Sequence, residues 1–356
     1  MRIKLERRIT LTRLDWFRLT VLSIIIAFII LSIIIAQAGK NPLAGFKEIF
    51  SYAFGTRYGL LLTFYRGILL IFTTLAFILP RRAGIWNIGA PGQLYFGALA
   101  MLGVALAFPN LPSIVLIPLM LIAAALAGGI LGGIAGFLKG WWDVNEIVVT
   151  LMLNNIAYWL VMYFIMEGGP FADPFGTPDS ATVPALAKAP LIFNVPFTIF
   201  LAIGLGIFLY FLLTKTKIGY KIRTLGQNPA SARYAGMSAL KLSLVVMIIG
   251  GAIAGLAGYH EFAGVPGVYK ITRKFAERGD LAYYGIICGL IAAQSPLAAI
   301  PAALFISGMT VGGTALQRRL GLGYGLDLLF LGVLMLTIIA FEFFKRHKVL
   351  WIIKGD

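Results

Sequence analysis

The chain has 356 residues, of which 60% are hydrophobic and only 12% are charged, with 30 Lys and Arg against 14 Asp and Glu and a formal net charge of +16. A soluble domain carries about 45–50% apolar and about 25% charged residues, so this composition excludes an ordinary soluble enzyme and indicates an integral membrane protein. One cysteine and two histidines exclude an internal disulfide and a Cys/His zinc site.

Apolar segments without charge predict about ten membrane-spanning helices, because a helix needs about 20 apolar residues to cross roughly 30 Å of hydrocarbon. The predicted spans are residues 19–38, 58–80, two within 83–138, 147–166, 196–214, 242–260, two within 281–317, and 326–344. Prolines near 109–112 and at 296 divide the two long runs. We therefore expect an all-α polytopic membrane protein with discontinuous or re-entrant segments. It would form one membrane domain, 19–344, between a basic N-terminus, 1–18, and a tail, 345–356.

The distribution of Lys and Arg predicts the orientation. With ten crossings and the N-terminus inside, the inner connections carry nearly twice as many Lys and Arg as the outer ones. Because cytoplasmic loops are enriched in these residues, both termini are expected in the cytoplasm of a cell-membrane protein. The apolar run 19–35 exceeds the roughly 7–15 residues of a cleavable signal, so the first span is expected to be an uncleaved anchor.

Glycines spaced by four residues predict close helix packing. Gly128, Gly132 and Gly136 form one such series, and Gly251 and Gly255 form another. Small residues at this spacing let two helix backbones approach in lipid. A role for some of these glycines as hinges or gates is the alternative interpretation.

The segment RRAGIWNIGAPGQ, residues 81–93, predicts a helix break at membrane depth. Freed backbone groups there need protein or a water-filled cavity, and discontinuous helices often border the path of a polar substrate. Asn87 and Gln93 are therefore candidates for the substrate pathway. A re-entrant turn that only packs is the alternative.

Further polar residues in or beside the spans are also pathway candidates. Asn154 and Asn155 follow the interfacial Trp141 and Trp142 and are expected to face inward, since polar side chains in lipid need a partner or water. Arg66 lies nine residues into its span and either snorkels outward or lines the path. Glu261, beside His260, is expected at the edge of an outer vestibule. The basic loop 264–280 could steer an acidic partner outside, or be merely solvated.

The longest inner loop contains NPASARYAG, residues 228–236. Asn228 can cap a helix that has Pro229 at its first position, and Gly236 can end it. A short capped helix at the inner face is suited to transmit force from a cytoplasmic partner, whereas an ordinary basic loop is the simpler reading. The chain offers no phosphate-binding loop, catalytic set, metal site or cofactor motif, so an ATP-driven motor would be another polypeptide.

These segments, in this order, resemble the permease subunits of ABC importers for nucleosides and simple sugars, which are related to branched-chain amino acid and monosaccharide permeases. The similarity rests on GIWNIGAPGQ (84–93), VNEIVVTLMLNN (144–155) and the 228–236 string, and it covers most of 60–340. It implies a type II importer-like fold and a coupling helix at 226–237 that docks on the ATPase subunit. The implied docking residues are Asn228, Pro229, Ala232, Arg233, Tyr234 and Gly236.

The resemblance also implies the partners and the function. The partners are cytoplasmic ABC ATPase subunits, a second permease subunit that is identical or paralogous, an extracytoplasmic solute-binding protein and the lipid bilayer, with no nucleic acid. Pro91, Ala230 and Ser231 depart from the usual residues of the family, and Pro91 stands where glutamate is common. The predicted function is import of nucleosides, or of simple sugars, by alternating access. An ATP-independent secondary transporter or channel is the competing class, although such proteins often carry embedded acids that are scarce here.

Overall fold

The computed structural model describes residues 2–7, 13–272, 275–320 and 325–352, and within these ranges the chain is predominantly helical. The helices are α1 (Arg13–Gln37), α2 (Pro42–Gly55), α3 (Arg57–Arg82), α4 (Ala90–Ala107), α5 (Ser113–Trp142), α6 (Glu146–Ile165), α7 (Thr198–Lys215), α8 (Lys217–Gln227), α9 (Pro229–Tyr234), α10 (Ala239–Tyr259), α11 (Phe275–Ile291), α12 (Pro296–Leu320) and α13 (Leu326–Arg346). Short strands are β1 (Arg2–Arg7), β2 (Leu191–Ile192), β3 (Val195–Pro196) and β4 (His347–Ile352).

The predicted spans correspond to observed helices. Within the described residues, 8 helices are long and apolar enough to cross a membrane, and two shorter apolar stretches are Leu281–Ile291 and Leu329–Phe341. Together they match the predicted spans one to one. The expected all-α polytopic membrane architecture is confirmed.

A helix between the first two spans and a pairing of terminal strands were not predicted. The connection between the first two predicted spans, residues 39–57, contains α2, which begins after Asn41. The side-chain oxygen of Asn41 accepts from the Leu43 and Ala44 amides at 2.9 and 3.4 Å. In addition, β1 pairs antiparallel with β4, with Arg2 opposite Ile352 and Arg7 opposite His347. This pairing joins the basic N-terminus to the tail.

The contacts divide the chain into two compact units, residues 1–63 with 308–356, and residues 64–307. In the first unit α1 packs with α2 and α13. Phe28 of α1 contacts the Phe46 ring at 5.1 Å and the Phe330 ring at 5.6 Å between centroids. An added Cβ at Gly312 would overlap the backbone of Ile49, so α12 and α2 lie in close backbone contact within this unit.

In the unit of residues 64–307, α10 packs against α5 and α4. A Cβ at Gly128 or Gly132 of α5 would overlap the carbonyl oxygens of Gly251 and Met247, respectively. A Cβ at Gly255 of α10 would overlap the carbonyl oxygen of Ala124 in return. The close approach predicted from the glycine spacing is confirmed, and we call this contact the α5–α10 interface.

The segment 166–197, between α6 and α7, folds onto the residues that follow α10. The Ser180 amide donates to the Ile271 carbonyl and the Val183 amide to the Tyr269 carbonyl, each at 2.9 Å. Lys270 forms an ion pair with Asp173 at 2.7 Å. Lys270 is therefore engaged within the chain, whereas Arg273 and Lys274, also expected in the basic outer loop, lie outside the described residues.

Candidate functional site

The predicted helix break lies between α3 and α4. Residues 85–89 have no regular secondary structure, and Pro91 lies in the first turn of α4. Pro91 is tolerated there because the first amides of a helix have no intrahelical partner. Asn87 and Gln93 are both buried, so the backbone and side-chain polar groups of this segment need partners within the chain.

Asn87 and Gln93 bond to each other in both directions. The Asn87 amide nitrogen donates to Gln93 Oε1, and Gln93 Nε2 donates to Asn87 Oδ1, both at 3.0 Å. Asn87 Nδ2 also donates to the Ala76 carbonyl at 3.2 Å, and its Oδ1 accepts from the Gly89 amide at 3.1 Å. All four hydrogen-bonding positions of the Asn87 amide are thus used to hold the broken segment.

Asn154 of α6 attaches the break to a second helix. Its Oδ1 accepts from the Gly92 amide at 2.9 Å, while its Nδ2 donates to the Ile88 carbonyl at 3.0 Å and to the Tyr283 hydroxyl at 3.1 Å. A Cβ at position 92 would lie 2.7 Å from Asn154 Oδ1, which explains the need for glycine there. We call Asn87, Gln93 and Asn154 the polar bracket.

The remaining pathway candidates lie elsewhere. Asn155 is on the exposed face of α6 and donates to the Leu151 carbonyl at 3.0 Å, so it does not join the polar bracket and does not face inward in this chain. Arg66 is half-buried on α3. Glu261 is buried in a π-helical turn, His260–Gly264, that continues α10.

His260, beside Glu261, is fixed by two hydrogen bonds. Its Nε2 lies 2.8 Å from the Tyr65 carbonyl and its Nδ1 lies 2.7 Å from Thr198 Oγ1. Because a carbonyl only accepts, Nε2 carries a proton and donates to the Tyr65 carbonyl. The histidine therefore ties α3, α7 and α10 together.

The start of the broken segment contacts the helix that precedes α9. A Cβ at Gly226 of α8 would overlap the carbonyl oxygen of Arg82, and Gly84, with a φ of +85°, lies against the Gly226 Cα. Arg82 Nε donates to the Gln294 carbonyl at 2.8 Å, in the turn between α11 and α12. The break is thus in contact with α8 and with the α11–α12 turn.

A charged cluster fixes the same segment to the start of α6. Glu146 Oε1 accepts from the Trp86 amide at 3.2 Å, and Glu146 Oε2 lies 3.3 Å from Lys139 Nζ. Lys139 also pairs with Asp143 at 2.7 Å. The hydrogen bond from Lys139 to Asp143 and the positive charge of Lys139 hold the pKa of Asp143 below its ordinary value. The positive charge of Arg233 on α9 lowers this pKa further.

The geometry of α9 agrees with the capped helix predicted from residues 228–236. Asn228 is the N-cap, with its side-chain oxygen accepting from the Ser231 amide at 3.0 Å, and Pro229 occupies the first turn. Gly236 ends the helix with a φ of +71°, and the Met237 amide donates to the Ala232 carbonyl at 3.0 Å. This pattern is that of a glycine-terminated helix.

α9 presents nearly all its side chains outward. Ala232 is completely buried, whereas Tyr234 is 98% exposed and Arg233 is exposed beside it. The segment 215–241 carries six basic residues and no acidic one. They are Lys215, Lys217, Lys221, Arg223, Arg233 and Lys241. The helix is anchored through one small side chain and exposes an aromatic and a cationic group.

Several contacts were missed at the level of sequence. Gly226, Glu146, Arg82 and Tyr283 were not named as site residues, although Arg82 and Glu146 lie inside the quoted motifs and Gly226 lies at the start of the range 226–237. A carboxylate at the edge of a predicted span was the available signal for Glu146. Across the described part of the chain, no three His, Cys, Asp or Glu residues gather in a way that could hold a metal ion.

Comparison with known proteins identifies relatives over most of the chain. Residues 59–339 match the family model described as branched-chain amino acid transport system / permease component. The chain is 33% identical to the glucose ABC transporter permease protein of Haloferax volcanii, over 92% of this chain and 88% of that one. It is 30% identical to the guanosine ABC transporter permease protein of Bacillus subtilis (84% and 86%) and 28% identical to the nucleoside ABC transporter permease protein of Lactococcus lactis (83% and 84%).

The family match spans the break, the polar bracket and α9, and relatives that are ABC transporter permeases for nucleosides and sugars align along most of their own length. The chain is a membrane-spanning member of the branched-chain amino acid transport system permease family.

Proposed function

We propose that this chain is the transmembrane permease subunit of an ATP-binding cassette importer whose ATP hydrolysis takes place on separate subunits. The observation that carries the proposal is α9, a capped helix that is held by buried Ala232 and exposes Arg233 and Tyr234. Tyrosine and arginine are the residue types that most often dominate binding energy at protein interfaces. We assign α9 as the coupling helix, within residues 226–237, that docks on the ATPase.

The contact of α8 with the helix break supports a route for force. α8 leads directly into α9, and its Gly226 packs backbone to backbone on Arg82 and Gly84. Because no flexible side chain lies between these backbones, a shift of α8 displaces the start of the broken segment. The polar bracket, attached to that segment through Asn87, would then rearrange during alternating access.

The proposed substrate is a nucleoside, with a simple sugar as the next class. The polar bracket consists of neutral amides, which suit an uncharged solute with several hydrogen-bonding groups better than an ion. Reported relatives are named for glucose, guanosine and nucleosides. A binding protein outside the membrane would deliver the solute, and a second permease subunit, identical or paralogous, would complete the pathway.

The proposed orientation has both termini in the cytoplasm. The antiparallel pairing of β1 with β4 supports it, because two paired termini must lie on the same side of the membrane. Ten crossings, an even number, satisfy this condition. The basic segment 215–241, with α9, then lies on the same side, as the positive-inside rule expects.

Co-purification of the chain with its ATPase subunit tests the docking assignment. Arg233→Glu is expected to weaken retention of the ATPase by about tenfold or more, which corresponds to about 1.4 kcal/mol. Lys221→Glu is the matched control, since Lys221 is an exposed cation on α8 and outside α9. Equal retention by both variants, or a larger loss with Lys221→Glu, would contradict the assignment.

A further inference from the structure

The hairpin formed by β2 and β3 exposes a cluster of apolar side chains. Leu191, Ile192 and Phe193 are all exposed, and Phe193 is 96% exposed at the tip. The hairpin is followed directly by α7, which begins at Thr198. Three consecutive large apolar residues at a loop tip are unfavourable in water, so this tip requires an apolar environment.

The conformation of the tip adds a second observation. The two-residue turn has Phe193 at a φ of 52° and Asn194 at 65°. Positive φ at both positions is the geometry of a type I′ turn, for which asparagine and glycine are preferred. Asparagine tolerates the left-handed region, whereas phenylalanine is strained there. Since the Phe193 ring is almost entirely exposed within this chain, its own packing does not offset that strain.

A hydrogen bond fixes the height of the tip along α3. The Tyr65 hydroxyl donates to the Asn194 carbonyl at 2.7 Å. Tyr65 precedes Arg81 by sixteen residues in α3, which is about 24 Å along the axis. With Arg81 at one boundary of a hydrocarbon core about 30 Å thick, the Tyr65 side chain, leaning toward the start of its helix, brings Asn194 to the opposite boundary.

The lipid-facing side of α7 continues from the hairpin. α7 buries Thr198, Ala202 and Gly206 on one face and exposes Phe200, Ile207 and other large apolar residues on the opposite face. That exposed face is compatible only with hydrocarbon or another apolar surface. The hairpin therefore stands at the level where aromatic side chains of membrane proteins are enriched.

We propose that the β2–β3 hairpin is an interfacial anchor, with Phe193 inserted into the headgroup–acyl boundary of the leaflet opposite Arg81. Insertion of the ring into lipid offsets the strain of its backbone and explains an apolar residue where the turn favours asparagine or glycine. The inference depends on the membrane-spanning architecture and goes beyond the proposed transport function.

The test measures the depth of a nitroxide spin label in bilayers. The chain has one cysteine, the buried Cys288, so Cys288→Ala supplies a background into which Phe193→Cys is introduced. The labelled full chain is reconstituted in phosphatidylethanolamine–phosphatidylglycerol vesicles, and collisions with oxygen and with a water-soluble nickel chelate are compared. Phe175→Cys is the matched control, because Phe175 is 88% exposed in the same loop but lies among exposed polar and proline residues.

We expect oxygen to exceed the nickel chelate at position 193 and the reverse at position 175. A label at 193 that collides mainly with the nickel chelate places the tip in water and overturns the proposal. A label shielded from both reagents indicates a covering protein and equally overturns it. The measurement uses no ATPase, no solute and no nucleotide, so failure of the transport proposal would leave its outcome unchanged.

Discussion

Two parts of the unit formed by residues 64–307 hold helices together by different means. At the α5–α10 interface, glycines such as Gly132 and Gly255 let backbone contact backbone. At the polar bracket, the amide side chains of Asn87, Gln93 and Asn154 form hydrogen bonds with each other and with backbone groups that have no helical partner at the break.

The α5–α10 interface is therefore a rigid contact, whereas the hydrogen bonds of the polar bracket can be exchanged. Backbone contacts at glycine have no alternative rotamer, so the α5–α10 interface either forms or separates. Amide hydrogen bonds can be exchanged for bonds to water or to a polar solute at small net cost, provided that every group stays paired. We therefore expect α5 and α10 to move as one body and the bracket to be the part that rearranges.

The largest expected effect comes from adding a methyl group at the α5–α10 interface. Gly132→Ala places a Cβ on the carbonyl oxygen of Met247, which cannot move aside, and should lower the free energy of unfolding by about 3 kcal/mol. Thermal unfolding of the purified chain measures this loss. Gly204→Ala on α7 is the control, because its Cβ would meet nothing within 4 Å, and it should stabilise by about 0.5–1 kcal/mol. Equal melting temperatures for the two variants would refute the interface.

A somewhat smaller effect is expected at the bracket. Asn154→Leu leaves the Gly92 amide and the Ile88 carbonyl without their side-chain partner in an apolar setting, at about 1–3 kcal/mol for an unsatisfied group. The adjacent Asn155→Leu changes an exposed side chain and should stay within about 0.5 kcal/mol. Hydrogen exchange at the Gly92 amide, alongside thermal unfolding, distinguishes the two. Similar exchange in both variants would mean that Asn154 does not hold the break.

The smallest effect concerns an ionic contact and its dependence on pH. Lys270 and the Thr177 hydroxyl, which both bond to Asp173, hold the pKa of Asp173 below its ordinary value of 3.8. The pKa of Asp173 is lower in the folded chain than in the unfolded chain. The ion pair therefore stabilises the loop at pH values above the ordinary pKa, and this stabilisation is lost as the pH falls through the lowered pKa.

The Phe175 amide donates to Asp173 Oδ1 at 3.4 Å, so its hydrogen exchange reports on this carboxylate. Exchange of the Phe175 amide, corrected for intrinsic rate, should therefore be constant from neutral pH to about pH 5 and rise only in stronger acid. Asp173→Asn should raise it at neutral pH, whereas Glu167→Gln, an exposed site in the same loop, should not. A rise in wild-type exchange already near pH 6 would assign the loop's stability to another group.

Features encoded by neighbouring residues were predictable from the sequence. The spans follow from runs of apolar residues, and the cap and end of α9 follow from Asn228, Pro229 and Gly236 within one short string. The glycine spacing predicted close packing of α5 because the four-residue period places those glycines on one helix face. In each case the information lies within a turn or a helix.

Features that depend on distant partners were not predictable. The pairing of β1 with β4 joins the two ends of the chain, and the contact of Gly226 with Gly84 joins segments that are remote in sequence. Asn154 and Asn155 could not be told apart, because adjacent helical residues differ by about 100° in direction and only the packing of α6 decides which one is buried. That packing separates a bracket residue from an exposed one.

The central claim is that this chain is a conduit moved, through α9, by an ATPase that it does not contain. Uptake of labelled nucleoside or sugar into proteoliposomes tests it most directly, with the chain alone compared with the complex that includes the ATPase and the binding protein. The account predicts ATP-dependent accumulation only in the complex, and a lower rate of accumulation in the complex that carries Arg233→Glu. Uphill uptake by the chain alone, driven by an ion gradient, would contradict it.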